Sequence, residues 1–93
     1  MDLSIVVPVY NEQESLPELT QWIESVCTKE GYSYELIFVD DGSSDNSWET
    51  IKKLGNSNKN IKAVSFRRNY GKAAALHTGF RLASGDVVIT MDS

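Results

Sequence analysis

Cysteine is almost absent from this chain: Cys27 stands alone among 93 residues, which excludes an intrachain disulfide framework and any Cys-rich zinc site. Bases are in the minority as well, nine Lys and Arg against thirteen Asp and Glu, for a net charge of −4 and a pI near 4.8. Nonspecific attraction to a polyanion therefore lacks its usual electrostatic drive, and no nucleic-acid partner is expected. Long apolar runs are missing too. The apolar stretch 5–9 is broken by Pro8 and has no basic flank, so neither a signal peptide nor a membrane span is expected at the start, and these residues read as soluble and cytoplasmic. Repeats, low-complexity tracts and linkers are lacking, which leaves residues 1–93 as one unit. What is present is 41% apolar residues, enough for one modest core at this length and too many for intrinsic disorder.

The net charge hides an asymmetry. Residues 1–50 carry eleven acids against Lys29 alone, whereas residues 51–93 carry eight bases against Asp86 and Asp92. Within the second part Lys59, Lys62, Arg67, Arg68 and Lys72 fall in 14 residues without an acid. A solvated basic loop and an anion site are equally good readings of that cluster until its position in the fold is known.

Short β-rich runs alternate with helix-length amphipathic stretches. Residues 3–9, 34–40, 61–66 and 86–91 are the strand candidates. The first helix is expected to start with Asn11 and Glu14 spaced as a capping box, to hold Pro17 in its opening turn, and to place Leu16, Leu19, Ile23, Val26 and Cys27 on its core face. The second, capped by Ser44 and Asp45, aligns Trp48, Ile51 and Leu54 and is expected to end at Gly55. The third aligns Ala73, Leu76, His77, Phe80 and Ala83 and ends at Gly85. An order βαβαβαβ with nearly continuous apolar strands predicts an α/β fold, a Rossmann-like parallel sheet with helices on both faces.

In such sheets ligands bind beyond the carboxyl ends of the strands, and the polar clusters of this sequence fall there. Strand one runs into Tyr10, Asn11 and Glu12, strand two into Asp40-Asp41-Gly42-Ser43-Ser44-Asp45, strand three into Arg67-Arg68-Asn69-Tyr70-Gly71-Lys72, and strand four into Asp92 and Ser93. The Asp41–Asp45 segment also suits a plain turn and helix cap. Adjacent carboxylates at Asp40 and Asp41, however, repel unless a cation, a donor or water offsets them. Glycine-cradled phosphate loops are disfavoured. No Gly-x-Gly-x-x-Gly follows strand one, and Phe66 occupies the position where a P-loop ending in Gly71-Lys72 needs glycine. An acidic rim with a divalent cation would let an acidic protein hold a diphosphate.

Val7-Pro8-Val9-Tyr10-Asn11-Glu12, Phe38-Val39-Asp40-Asp41-Gly42-Ser43-Ser44-Asp45, Arg68-Asn69-Tyr70-Gly71-Lys72, and Gly85-Asp86 leading to Met91-Asp92 together resemble the family 2 glycosyltransferases with the type A nucleotide-sugar fold. The Arg68–Lys72 segment followed by Ala73-Ala74-Ala75-Leu76 looks most like the polyprenyl-phosphate sugar transferases, bacterial relatives of dolichyl-phosphate mannose synthase. The resemblance covers essentially the whole chain and implies the amino-terminal half of the type A domain.

Carried over by residue, it implies that Pro8, Tyr10 and Glu12 line a nucleoside pocket, that Val39 and Asp41 contact the base, and that Asp40 supports them, with Lys72 a further nucleotide-binding residue. Asp92 corresponds to the first carboxylate of an Asp-x-Asp motif that binds Mg²⁺ or Mn²⁺ through the donor diphosphate. On that reading the chain stops inside its metal motif, carries no catalytic residue itself, and is inactive alone. The implied reaction is an inverting displacement, an acceptor oxygen attacking the anomeric carbon of a UDP- or GDP-linked hexose. The implied acceptor is a lipid phosphate, in particular a polyprenyl phosphate, or a glycan, and the full-length protein is expected at the cytoplasmic face of the membrane. The chief competitor is a receiver-like phosphoacceptor domain holding Mg²⁺ on Asp40, Asp41 and Asp92. Against it, a complete strand and helix precede the Asp pair. An uncovered strand edge and apolar faces predict that the isolated chain either self-associates, as a homo-oligomer, or is marginally stable.

Overall fold

The computed structural model describes residues 1–92 as a four-stranded parallel sheet with three helices, in the order β1 (Leu3–Val9), α1 (Leu16–Glu30), β2 (Tyr34–Asp40), α2 (Ser47–Ser57), β3 (Ile61–Ser65), α3 (Lys72–Leu82) and β4 (Val87–Thr90). Strand order across the sheet is β3-β2-β1-β4. The chain thus builds outward from β1 through β2 to β3, then crosses back to set β4 on the other side of β1. That reversal makes the gap beyond β1 and β4 the switch point where such sheets bind ligands.

The alternation of side chains along β1 and β2 divides the core into two layers. Ile5, Val7, Val9, Leu36 and Phe38 meet Leu16, Ile23 and Cys27 of α1 and Ile51 of α2. Val6, Ile37 and Val39 meet Ala75 of α3 on the opposite face. Helices therefore cover both faces, as the apolar strands require. Each fully buried Ile, Val, Leu or Phe contributes about 1.5–3 kcal/mol, and β2, with all seven residues buried, is the centre of that gain. Burial pushes the Cys27 thiol up, as suits an unreactive core residue.

Three expectations are corrected. Helix α1 begins at Leu16 after Ser15, not at an Asn11–Glu14 capping box, because the Asn11 side chain is engaged elsewhere; Val26 lies at the surface while Thr20 is buried. Helix α2 runs through Gly55 to Ser57, so the helix tolerates a glycine penalty of about 1 kcal/mol. In α3 the face against the sheet is Ala75 and Gly79, with Leu76 and Ala83 half-buried beside them, while Ala73, His77 and Phe80 are exposed. Only small residues fit there: a Cβ at Gly79 would lie 2.2 Å from Cγ1 of Val6. Among the described residues no helix is long and apolar enough to cross a membrane.

Candidate functional site

The loops after β1, β2 and β3 are laced together by short polar side chains. Asn11 adopts φ 53, a left-handed conformation that Asn tolerates better than most residues. In that conformation its Oδ1 accepts from the amides of Ser44 (2.8 Å) and Asp45 (3.3 Å), and its own amide donates to Ser43 Oγ (2.9 Å). The amide of Glu12 donates to Ser47 Oγ (3.0 Å) and that of Asn46 to Gln13 Oε1 (2.8 Å). Asp45 accepts from the Ser47 amide at 2.8 Å, capping the start of α2, and the Ser47 donors hold its carboxyl below the usual range. The sequence Asn11-Glu12-Gln13 thus anchors the β1–α1 loop onto Ser43–Ser47 instead of starting a helix.

Asp40 and Asp41 divide their work. Asp40 is buried, accepting from the hydroxyls of Ser43 and Ser65, the latter at 3.3 Å, so it ties β2 to its own loop and to β3. Asp41, 4% exposed, accepts from the Tyr70 amide at 2.8 Å, the Gly71 amide at 3.0 Å and Asn69 Nδ2 at 3.1 Å. These donors offset the repulsion between the two carboxylates. Between them and the β3–α3 loop sits Gly42, with φ 72 and a virtual Cβ only 2.2 Å from the backbone carbon of Arg68. No other residue fits there, because a side chain is excluded both by the left-handed backbone and by the crossing loop.

The loops enclose a cleft of about 250 Å³ lined by Pro8, Val9, Tyr10, Glu12, Asp41, Lys72 and Asp92. It opens at the switch point between β1 and β4. Tyr10 is half-exposed there, presenting a ring to the cleft mouth. Lys72, the first residue of α3, donates to Asp92 Oδ1 at 2.7 Å, both side chains being largely exposed. Pro8, Tyr10, Glu12, Asp41, Lys72 and Asp92 of the sequence-derived set are therefore brought together. Val39 and Asp40 are not: Val39 is fully buried in the α3-side core, and Asp40 is held beneath the loop. Ser93, the other residue expected at this rim, lies outside the described residues.

The basic stretch is dispersed rather than convergent. Lys62 pairs with Glu35 at the far end of the sheet, Arg68 lies over the Tyr70 ring at 5.0 Å, and only Lys72 enters the cleft. Glu35 is the polar residue that sequence reasoning missed. Its signal was a charged residue inside a run otherwise suited to a fully buried strand, which demands a partner.

The described residues do not form a metal site by themselves. No three His, Cys, Asp or Glu side chains among them converge to hold an ion, and Asp92 is a single carboxylate already paired with Lys72. The same observation disfavours a receiver-like arrangement, which needs Asp40, Asp41 and Asp92 around one cation.

Comparison with known proteins agrees with this geometry. The chain is 50% identical over 92 residues to the undecaprenyl-phosphate 4-deoxy-4-formamido-L-arabinose transferase of Pseudomonas fluorescens, covering 98% of this chain and 27% of that protein. It is 47% identical to the enzyme of the same name from Proteus mirabilis, covering 28% of it. The chain thus spans little more than a quarter of these relatives. Among solved structures it resembles the mannosyltransferase PcManGT from Pyrobaculum calidifontis in complex with GDP-Man and Mn²⁺ (TM-score 0.77, 25% identity, 97% of this chain and 26% of that one). It also resembles S. aureus TarS 1–349 in complex with UDP (TM-score 0.76, 28% identity, 100% of this chain and 27% of that one). These neighbours share the type A glycosyltransferase fold expected from the motifs. The family model for glycosyl transferase family 2 matches residues 4–93, and with loops, cleft and fold in agreement the chain belongs to that family.

Proposed function

We propose that this chain is the nucleotide-sugar-binding part of a glycosyltransferase that moves a sugar from a UDP- or GDP-linked donor to a polyprenyl phosphate. The observation that carries the reading is the cleft at the switch point, where Pro8, Tyr10, Glu12, Asp41, Lys72 and Asp92 converge. The Tyr10 ring and the Pro8 edge form the wall against which a nucleoside packs. Asp41 acts chiefly by fixing the Asn69–Gly71 backbone that closes the pocket, since its oxygens are already occupied by loop donors. Lys72 supplies a cation for the donor phosphates.

Asp92 is the residue that would offer Mg²⁺ or Mn²⁺ a carboxylate when the donor is bound, and the ion would supply charge neutralisation for the diphosphate. The neighbour solved with GDP-Man and Mn²⁺ supports that use. The relatives' name supports a polyprenyl-phosphate acceptor and a substituted arabinose, a pentose, in place of the hexose first expected. A polyprenyl-phosphate acceptor, being a lipid, is consistent with work at the cytoplasmic face of the membrane by the full-length protein.

Calorimetric titration of the chain with UDP, GDP and acetyl phosphate in Mn²⁺ tests this. Weak, nucleoside-dependent binding is expected, in the high-micromolar range or above, with uridine retaining part of the UDP affinity. Binding of acetyl phosphate with no response to either nucleotide would overturn the reading in favour of a phosphoacceptor.

A further inference from the structure

Glu35 is a buried carboxylate that the cleft does not use. It is the second residue of β2, 1% exposed, at the amino end of the sheet, opposite the cleft. Burial raises its carboxyl pKa, but the Lys62 ammonium and the donors of Ser4 and Ser84 outweigh that effect and hold it at about 2. Lys62 sits on Oε1, while Oε2 accepts from the Ser4 hydroxyl, the Ser84 amide (2.7 Å) and the Ser84 hydroxyl (3.0 Å). Ser4 Oγ in turn accepts from the Gly85 amide at 2.7 Å. A continuous chain of bonds therefore runs from β2 through β1 to the turn that delivers β4. Gly85 is pressed onto β1 so closely that a Cβ there would lie 2.7 Å from Leu3 C and Ser4 N.

Strand β4 needs an external register mark. It has four residues, all exposed, and among the described residues it pairs with β1 alone. Val87, Val88 and Ile89 are apolar on both faces, so alternation does not choose among registers as it does for β2, which leaves half-buried Met91, packed against the α1-side core, as the apolar anchor of this segment. A slip of two residues keeps every side chain on its face and re-forms the ladder bonds that now run from Val87 to Asp2 and from Met91 to Val6. It would move Asp92 along the strand by about 6.6 Å, away from the Lys72 ammonium and the cleft.

The geometry points to Glu35, acting through Ser4, as the positioning residue that fixes the register of β4 and so sets where Asp92 stands at the other end of the sheet. The register claim stands on the clamp alone; the consequence for nucleotide binding rests on the function proposed above.

The test is backbone nuclear Overhauser contacts in the 93-residue chain, with UDP affinity in Mn²⁺ measured in parallel. In Glu35→Leu and in the milder Ser4→Ala, the Ile5–Ile89 contact is expected to vanish or shift to Ile5–Val87 while the β1–β2 contacts persist. Protection of the Met91 amide should fall on the order of tenfold, as for one lost buried hydrogen bond. Glu35→Gln, which keeps an acceptor for Ser84 and Ser4, should retain the native register. If Glu35→Leu fails to fold, Ser4→Ala decides. Unchanged β4 contacts in a folded Ser4→Ala would overturn the proposal, and so would simultaneous loss of all strand pairings, because the network would then be a general stabiliser. A shifted register with UDP affinity unaltered would leave the clamp intact and remove Asp92 from the nucleotide reading.

Discussion

Strands β2 and β4 are both short, parallel and apolar, yet they have opposite lives in the fold. All seven residues of β2 are buried between two helical layers, whereas every residue of β4 is exposed, Val87 at 53%. Their carboxyl ends differ in the same sense. Beyond β2, Asp40 and Asp41 are held by Ser43, Ser65, Asn69, Tyr70 and Gly71; beyond β4, Asp92 has a surface ion pair with Lys72. An apolar run identifies a strand, but its neighbours in the sheet decide what that strand contributes. In this chain the Asp41 side of the cleft is built on the buried centre of the sheet, and the Asp92 side on the exposed strand.

The largest effect should come from cutting into the centre. Phe38→Ala removes a fully buried ring and is expected to cost about 3–5 kcal/mol, a large share of the stability of a domain this size. Ile89→Ala should cost roughly 0.5 kcal/mol or less if β4 is uncovered. Urea denaturation of both variants, with sedimentation of the parent chain, checks the contrast. Comparable costs at the two positions, together with a sedimenting dimer, would mean that a second copy covers β4 in solution.

That contrast also marks what the sequence could and could not disclose. All four strands stand within a residue of the runs that predict them, because short runs rich in Val, Ile, Leu and Phe between turn residues leave few alternatives to a parallel strand. Helix starts were less legible. The Asn11–Glu14 spacing imitates a capping box, but Asn11 directs its carbonyl oxygen to Ser44 and Asp45, thirty-odd residues away, and local spacing carries no trace of such a partner. The α3 face departs from the periodicity for a related reason: Ala75 and Gly79 face the sheet because they are small, and periodicity weights large residues. The cleft residues were legible because strand ends are marked by polar motifs. Val39 and Asp40 fell outside the cleft because the alternation of a buried strand turns Val39 into the core and because Ser43 and Ser65 claim Asp40.

At the strand ends, Asp41→Ala should show an intermediate effect. A carboxylate used only for ligand contact is lost with little change in stability, but Asp41 bonds three donors of the β3–α3 loop, and its removal leaves the part-buried amides of Tyr70 and Gly71 without that acceptor. The expected cost is about 2–3 kcal/mol in stability, accompanied by loss of UDP binding, read from thermal melts and titration on the same sample. Normal melting with lost binding would instead assign the carboxylate to direct contact with the base.

The smallest effect on stability, and the most discriminating, belongs to Lys72→Met. An ion pair with side chains this exposed contributes no more than about 0.5 kcal/mol, because water screens it and both side chains lose rotamer freedom in forming it. Melting should therefore be nearly unchanged, in contrast to Asp41→Ala. Binding should not be. The Lys72 ammonium is the cation among the residues lining the cleft, and a diphosphate entering between Glu12, Asp41 and Asp92 meets acids on every other side. Without it UDP affinity is expected to fall about tenfold, the scale of one charge-assisted hydrogen bond, while uridine, which has no phosphate, binds as before. Equal losses for UDP and uridine would move Lys72 to the nucleoside wall. A drop in stability near 2 kcal/mol would show that the Lys72–Asp92 pair is a latch closing the edge strand onto α3, and the division between a rigid centre and a loosely held edge would then fail at the very residue chosen to probe it.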